Sequence, residues 1–341
     1  MALFNGLFYG LRSLEELHIA AIFTSVGPAS LEGAANLTVL VMDNCYFSRN
    51  LGGEAMSGRE APRLKTLSFQ ETHLSSLPAR FVCDFPEVTV LKLIRAHIGN
   101  YKTVEAESAF DGFPKAQLEM FQTHLLQKWG NATRVFNGFA SVRSLDIRSH
   151  FWSQCLQFGA RSFVGFPNLE TLSLGYGIEP DALIGLPKLR SLTLHRQPLL
   201  FLSADAFNGL EGLESLTLQE AQGKGSAVGG CENNPLHPEE THNGAPGFAL
   251  VLPNSLFSKL EGLTSLHLHV RYAHGSRLNC YIITAGFLAG LQKLQSLKFA
   301  PGGTSGAALM SIGPATFEDV PNLLHLDLSG SELGFHSRSN I

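Results

Sequence analysis

Apolar residues recur along this chain in a fixed pattern of spacings. Residues 163–174 read FVGFPNLETLSL, residues 207–218 read FNGLEGLESLTL and residues 257–268 read FSKLEGLTSLHL. The shared pattern is F-x-x-L-x-x-L-x-x-L-x-L, where L stands for a bulky apolar residue. Its last three positions alternate between apolar and polar residues, as in a β-strand with one buried face. Each copy therefore predicts a short strand that follows a turn.

Further segments repeat this template over most of the chain. Near-complete copies are residues 8–19, 82–93, 136–147, 288–299 and 317–328. Weaker copies are residues 31–42, 64–69, 110–121 and 183–194. In the copy at 110–121, Glu119 stands where a leucine belongs, so this repeat is degenerate or locally shifted.

The middle apolar position of each copy measures the period of the repeat. It is occupied by Leu14, Leu37, Leu64, Val88, Ala116, Val142, Leu169, Leu189, Leu213, Leu263, Leu294 and Leu323. Most of the steps lie in the range of about 20–29 residues that characterises leucine-rich repeats. The step from Leu213 to Leu263 is longer, because it holds one repeat and a long insertion.

A unit of this size cannot bury its apolar face alone, so stacked units must share one core. We therefore predict an α/β repeat solenoid, a horseshoe of about 12 leucine-rich repeats that forms one domain over residues 1–341. A parallel β-sheet lines its concave side, and loops or short helices form its convex side. Strand leucines such as Leu216 and Leu266 should be fully buried, whereas the residues between them face the concave side.

Phenylalanine recurs at the first position of the template and should form an aromatic column inside the outer wall. Its members are Phe110, Phe136, Phe163, Phe207, Phe257 and Phe317.

A longer pattern, L-x-x-L-P-x-x-x-F-x-x-L, is approached by residues 199–210 (LLFLSADAFNGL) and 74–85 (LSSLPARFVCDF). In these features the chain resembles the extracellular type of leucine-rich repeat, and in particular a Toll-like receptor ectodomain. The resemblance implies a cell-surface or secreted protein that binds a ligand, with receptor homo- or heterodimers as possible assemblies.

The chain also departs from the pattern of that family. The slot in which the family carries asparagine, three residues after the last strand leucine, holds Cys45, Thr72, Gln197 and Ser331. The cysteine-rich caps of the family are missing, so we expect the chain to be a fragment.

Composition narrows the class of protein. The chain is 44% hydrophobic and 16% charged, which is typical of a folded protein. Its net charge of -4 does not indicate a nucleic-acid partner. No apolar run approaches the length of about 18 residues that a membrane helix needs, and the N-terminus does not read as a secretory signal. We expect any membrane contact to be made by segments outside this chain.

Candidate ligand contacts lie in the columns that flank the strand leucines. They are Lys92, Asp146, Arg148, His195, His267, His269, Lys298 and Asp327. The template places Met120 in the column of Lys92 and Asp146, and Gln122 in the next column. A preceding column is rich in hydroxyl groups: Thr66, Ser144, Thr171, Ser191, Ser215, Ser265 and Ser296. This surface suits a polar protein or a glycan, and the alternative is a solvated sheet face with no ligand.

Three insertions follow consecutive strands, at about 222–250, 270–282 and 300–310, and should crowd one rim of the solenoid. Long loops on a rigid scaffold carry function more often than other surface segments. They are therefore a second candidate site.

Other chemistry is weakly indicated. His267 and His269 alternate on one strand, as a metal-binding pair would, but they lack an acidic or cysteine partner at a suitable spacing. Two alternatives to metal binding are that His267 and His269 are ordinary surface histidines or that they form a pH-sensitive binding patch. The stretch GKGSAVGG at 223–230 does not match a phosphate-binding loop, and no catalytic set can be identified by spacing. We expect neither an enzyme nor a cofactor.

Two kinds of modification are predicted. Asn36 and Asn131 begin glycosylation sequons. Cys231 and Cys280 lie 13 and 12 residues after equivalent strand leucines of adjacent repeats, close enough for a disulfide if both loops leave the same side. Cys45, in the turn slot, should be a buried free thiol.

Two functions remain open at this point. The first is an extracellular recognition module of the innate-immune receptor type, favoured by the phenylalanine slot, the Leu-Pro pair and the sequons. The second is an intracellular or soluble scaffold for protein assembly.

Overall fold

A computed structural model of the chain describes residues 2–3, 6–23, 25–26, 30–47, 60–74, 85–94, 97–98, 120–123, 140–147, 157–175, 177–195, 202–219, 249–270, 280–301, 308–329 and 331–333. The chain divides into two units. The first unit contains residues 1–150 and 163–170, and the second contains residues 151–162 and 171–341.

Each unit carries parallel strands. Each strand is formed by the last positions of a repeat, where apolar and polar residues alternate. The first sheet consists, in order, of β2 (Glu16–Ile19), β5 (Val39–Asp43), β7 (Thr66–Gln70), β9 (Val90–Ile94), β11 (Met120–Thr123) and β12 (Ser144–Ile147). The second consists of β14 (Thr171–Leu174), β16 (Ser191–His195), β17 (Ser215–Gln219), β19 (Ser265–Val270), β21 (Ser296–Pro301) and β23 (His325–Asp327). These twelve strands coincide with the twelve copies of the template, so the predicted leucine-rich-repeat fold is confirmed.

The register of the second sheet stacks equivalent leucines. Leu216 on β17 pairs with Leu192 on β16 and with Leu266 on β19. Leu216 and Leu266 are 0% and 1% exposed, as predicted. Burying a leucine stabilises the fold by about 1.5–3 kcal/mol, and β14, β16, β17 and β19 each contribute two buried leucines. Stacking of apolar faces therefore holds the repeats together.

The repeat at 110–121 is shifted by two residues from the predicted alignment. Phe121 on β11 pairs with Leu91 on one side and Leu145 on the other, so it takes the slot that the template gave to Glu119. The placing of Met120 beside Lys92 is therefore wrong. Gln122 occupies that position, because backbone pairing with both neighbouring strands sets the register.

Short parallel strands outside the two main sheets form smaller sheets. In the first unit they are β1 (Ala2–Leu3), β3 (Ile22–Phe23), β4 (Ser25–Val26), β6 (Tyr46–Phe47), β8 (His73–Leu74) and β10 (His97–Ile98). In the second unit they are β13 (Gln157–Phe158), β15 (Gly177–Ile178), β18 (Ala249–Val251), β20 (Cys280–Ile283), β22 (Ala308–Ile312) and β24 (Ser331–Leu333). The only helix in the described ranges is a 3-10 helix at Ala204–Phe207.

The three predicted insertions end in regular structure rather than in loops. Strands β18, β20 and β22 occupy their C-terminal parts and pair in that order. Each insertion thus leaves a strand of the second sheet and returns through a strand of this smaller sheet. The interior of each insertion lies outside the described residues.

Part of the aromatic column is confirmed. The rings of Phe207 and Phe257 are 6.1 Å apart, and both are fully buried. The next member is Phe287, with its ring 5.3 Å from that of Phe257. Phe287 stands one residue before the template slot, which is why the pattern missed it. Phe163 is buried and Phe317 is only partly buried, while Phe110 and Phe136 lie outside the described residues.

Two residues in the asparagine slot supply the hydrogen bonds of the missing amide. The single thiol proton of Cys45 is shared between the carbonyl oxygens of Ile19 and Asp43, which lie 3.3 Å and 3.4 Å from Sγ. The single hydroxyl proton of Thr72 is shared in the same way between those of Met42 and Gln70, which lie 3.0 Å and 2.7 Å from Oγ1. Each group joins its own turn to the preceding repeat. Cys45 is a buried free thiol, as predicted, and burial raises the pKa of that thiol.

Candidate binding surface

The face of the second sheet that is turned away from the leucine core is called the open face here. It carries the residues that alternate with the buried leucines on strands β14, β16, β17, β19, β21 and β23. Five of the predicted contact residues are on these strands: His195, His267, His269, Lys298 and Asp327.

Hydrogen bonds connect His195 to both neighbouring strands. Its Nδ1 lies 2.7 Å from Oε1 of Gln219, and its Nε2 lies 3.0 Å from the hydroxyl oxygen of Ser173. Because the Gln219 oxygen can only accept, Nδ1 of His195 donates to it. In the neutral imidazole, Nε2 then accepts the hydroxyl proton of Ser173. The chain of bonds orients His195 across three strands.

His267 and His269 form a pair of imidazoles with ring centroids 4.0 Å apart. Burial is the main cause that lowers the pKa of His267 below its ordinary value of 6.5. The charges of His269 and Lys298 lower it further, whereas the Asp327 carboxylate opposes them. Nε2 of His267 is buried and has no hydrogen-bond partner within the described part of the chain. Both observations favour a neutral His267 at neutral pH.

Lys298 and Asp327 form an ion pair at the end of the sheet, with Nζ and Oδ2 3.0 Å apart. The backbone amide of Ser329 also donates to Asp327, at 2.9 Å. Hydrogen bonds from Ser329 and Lys298 hold the pKa of Asp327 well below its ordinary range. Lys298 is the register partner of His267, so the carboxylate that acts on His267, that of Asp327, is already engaged in an ion pair.

The remaining predicted contacts are not part of this surface. Lys92 and Asp146 belong to the first unit, where Gln122 on β11 lies between them. Both are partly exposed. Arg148 lies outside the described residues.

The described ranges contain no group of three or more histidine, cysteine, aspartate or glutamate residues that could hold a metal ion. Cys231 and the side chain of Cys280 are outside these ranges, so the disulfide stays a prediction. Within the same ranges, no helix has the length and apolar character needed to cross a membrane.

Asn36, a predicted glycosylation residue, takes part in contacts between repeats. Its Nδ2 donates to the carbonyl oxygen of Arg12 at 2.6 Å, and its Oδ1 accepts from Arg63 at 2.7 Å. Asn168 and Asn322 occupy the same slot and make the equivalent bond to the preceding repeat, each at 2.7 Å. The side chain of Asn36 is therefore partly buried and hydrogen-bonded, and its glycosylation stays a prediction. Asn131 lies outside the described residues.

Sequence reasoning placed the histidines on the correct face but missed their hydrogen-bond partners. The registers of β14, β16 and β17 bring Ser173 and Gln219 beside His195. By the template, Gln219 lies in the column of His195 and Ser173 in the column before it, so polar residues at these positions were the available signal.

The chain resembles known proteins in structure, but no match was found from its sequence. No protein-family model matches the chain, and no curated protein matches it. The crystal structure of a TLR13-ssRNA13 complex matches with a TM-score of 0.52 and 18% sequence identity, over 95% of this chain and 52% of that chain. An internalin (inlF) from Listeria monocytogenes str. 4b F2365 matches with a TM-score of 0.49 and 12% identity, over 90% of this chain and 73% of that chain.

The chain thus spans about half the length of the TLR13 chain that it matches. At this level of identity the likeness concerns the fold. It agrees with the parallel strands, the stacked leucines and the repeat period described above. The chain has the leucine-rich-repeat fold.

Proposed function

We propose that this chain is a non-catalytic recognition module that binds its partner through the open face of the second sheet. The observation that carries the proposal is the set of polar side chains aligned there: His195 lies on β16, and the histidine pair and Lys298 lie on the adjacent strands β19 and β21. A rigid sheet that presents one polar residue per repeat is an extended binding surface. We further propose that the module belongs to a secreted or cell-surface receptor ectodomain.

Fold and sequence support this proposal in different ways. Solenoids of this kind offer their sheet face to a partner, and the likeness in fold to TLR13 is consistent with such use. The sequence resemblance to Toll-like receptor ectodomains and the sequon at Asn36 support the extracellular context. The TLR13 structure holds an RNA. On the described part of the open face, the positive charge of Lys298 is paired with Asp327, so a protein or a glycan is the partner we propose.

The chain of bonds from Ser173 through His195 to Gln219 has the order of a nucleophile, a base and an orienting group. Acyl transfer also needs donors aimed at the developing oxyanion. In this region the backbone amides serve the parallel pairing of β14, β16 and β17. We therefore interpret the bonds as fixing the shape of a binding surface, not as a catalytic relay.

The experiment compares binding by the whole chain with binding by two variants. The protein is screened against arrays of secreted and cell-surface ectodomains and of intracellular proteins. Each hit is then measured with a His195→Ala/Lys298→Ala variant of the open face. The control is Lys259→Ala/Glu261→Ala, which removes two exposed charges from a turn that precedes β19.

We expect the open-face variant to bind a genuine partner at least about tenfold more weakly, because each lost contact at the centre of an interface costs about 1 kcal/mol or more. The control should bind as the unchanged chain does. Equal binding by the open-face variant would place the site elsewhere, with the three insertions as the next candidate. Partners found only among intracellular proteins would support the scaffold function instead.

A further inference from the structure

Hydroxyl groups on the open face form two parallel rows. The first row runs across five strands and consists of Thr171, Ser191, Ser215, Ser265 and Ser296, which are successive register partners. In the second row, Ser173, Thr193 and Thr217 are partners in the same way. Adjacent strands lie about 4.8 Å apart, and residues two positions apart on one strand are separated by about 6.6 Å. The face is therefore a regular grid of hydroxyls.

Most of this grid has no hydrogen-bond partner in the part of the chain that the structure describes. Ser173 is bonded to His195, but the other seven hydroxyls make no hydrogen bond to any residue that the structure describes. All eight residues are at least partly exposed. A hydroxyl can donate one hydrogen bond and accept two. The grid can therefore offer donors and acceptors to the same ligand.

Charged groups beside the grid that the structure describes form ion pairs. Lys298 pairs with Asp327 at 3.0 Å, and Arg190 pairs with Glu214 at 2.8 Å just before β16 and β17. His267 is held neutral by its surroundings, since burial and nearby positive charge lower its pKa. A face with paired charges attracts neither an anionic nor a cationic ligand strongly. It favours an uncharged ligand that forms hydrogen bonds.

We propose that the open face of the second sheet binds a neutral, linear glycan, whose hydroxyl groups bond to the two rows. This inference rests on the proposed function for the choice of surface and adds the chemical class of the ligand. An extended glycan lying across the strands would place about one pyranose residue over each strand. Trp, Tyr and Arg, which dominate protein-protein hot spots, contribute no unpaired side chain to this face in its described positions.

The test uses the whole chain and an array of neutral β-glucan, mannan and chitin oligosaccharides, with carboxylated and sulfated glycans beside them. The main variant is Ser191→Ala/Ser215→Ala/Ser265→Ala, which removes three adjacent hydroxyls of the first row. The matched control is Thr66→Ala/Ser144→Ala, which removes hydroxyls from the equivalent column of the first sheet. A Ser215→Thr variant keeps the hydroxyl. Circular dichroism and melting temperatures establish that all variants fold.

We expect at least one neutral glycan to bind, with affinity that changes little between low and high salt, because no ion pair is formed. The triple variant should bind it at least about tenfold more weakly, since the hydrogen bonds of three adjacent hydroxyls are lost. The control and Ser215→Thr should bind as the unchanged chain does.

Three results would overturn the proposal: binding of charged glycans only, equal binding by the triple variant, or no binding of any glycan. If no glycan binds while a protein partner from the ectodomain or intracellular array still loses affinity for the His195→Ala/Lys298→Ala variant, the glycan ligand is wrong but the recognition module stands. If both screens fail, the open face has no binding role.

Discussion

Gly212 and Gly262 occupy the same slot of two neighbouring repeats, each within the tripeptide Glu-Gly-Leu. A Cβ atom on Gly262 would lie 2.5 Å from the carbonyl oxygen of Glu211 and 3.2 Å from that of Leu213. A Cβ atom on Gly212 would meet nothing within 4 Å. Neither glycine has a left-handed φ, so alanine suits both backbones. We therefore predict that Gly262→Ala destabilises the fold and that Gly212→Ala does not.

The size of the effect follows from the contact. Carbon-oxygen approaches in proteins are about 3.3 Å or longer, so the new methyl group overlaps the Glu211 oxygen by about 0.8 Å. Both atoms are fixed to backbone, and relief requires the turn to move. That movement would stretch the bonds from the amides of Thr264 and Ser265 to the carbonyl of Glu214, now 2.9 Å and 3.0 Å long. Overpacking of this kind costs about 1–3 kcal/mol.

Gly212→Ala should be neutral or stabilising by up to about 1 kcal/mol, because alanine restricts the unfolded chain. The assay is urea denaturation of the two variants and the unchanged chain, followed by circular dichroism. Free energies of unfolding for the two variants that agree within about 0.5 kcal/mol would refute the predicted approach of these two turns.

Three further predictions concern stability, each measured by denaturation. Leu216→Ala should cost about 2–5 kcal/mol because it leaves a cavity in the core, whereas Thr217→Ala on the open face should cost less than about 0.5 kcal/mol; equal losses would contradict the register. Thr72→Val should cost about 1–3 kcal/mol because two carbonyls lose their donor, and Thr217→Val, whose hydroxyl is unpaired, serves as its control. Because the pKa of His267 is lowered on folding, the unfolded chain binds the proton more readily, so stability should fall as pH drops below about 6.5. A His267→Thr variant should lose less stability over that range, and an unchanged pH profile would reject the idea.

The sequence alone determined the fold and most of the register. A unit of about 25 residues cannot bury its own apolar face, so the repeated apolar positions form a core only if the units stack. That requirement places equivalent leucines side by side, as Leu192, Leu216 and Leu266 are. The alternation of strand residues then assigns His195 and His267 to the opposite face. These conclusions follow from two facts alone: the length of the repeat, and the alternation of side chains between the two faces of a strand.

The tertiary structure decided what depends on distances between repeats. The strand at Met120–Thr123 takes its register from its two neighbouring strands, since its backbone amides pair with both. The apolar template had placed this strand two residues away from the observed register. Phe287 belongs to the aromatic column although it stands one residue before the first position of its template copy. Its ring packs beside that of Phe257. The bonds of His195 to Ser173 and Gln219 depend on side-chain rotamers, which an apolar pattern does not specify.

Gly212 and Gly262 show the limit of local sequence. The tripeptide is the same in both repeats, yet only Gly262 lies against the backbone of the preceding repeat. The distance between two turns is set by the packing of all the side chains that separate them. That packing involves residues from both repeats, and the repeats differ in length. The distance between the two turns therefore cannot be predicted from a single copy of the template.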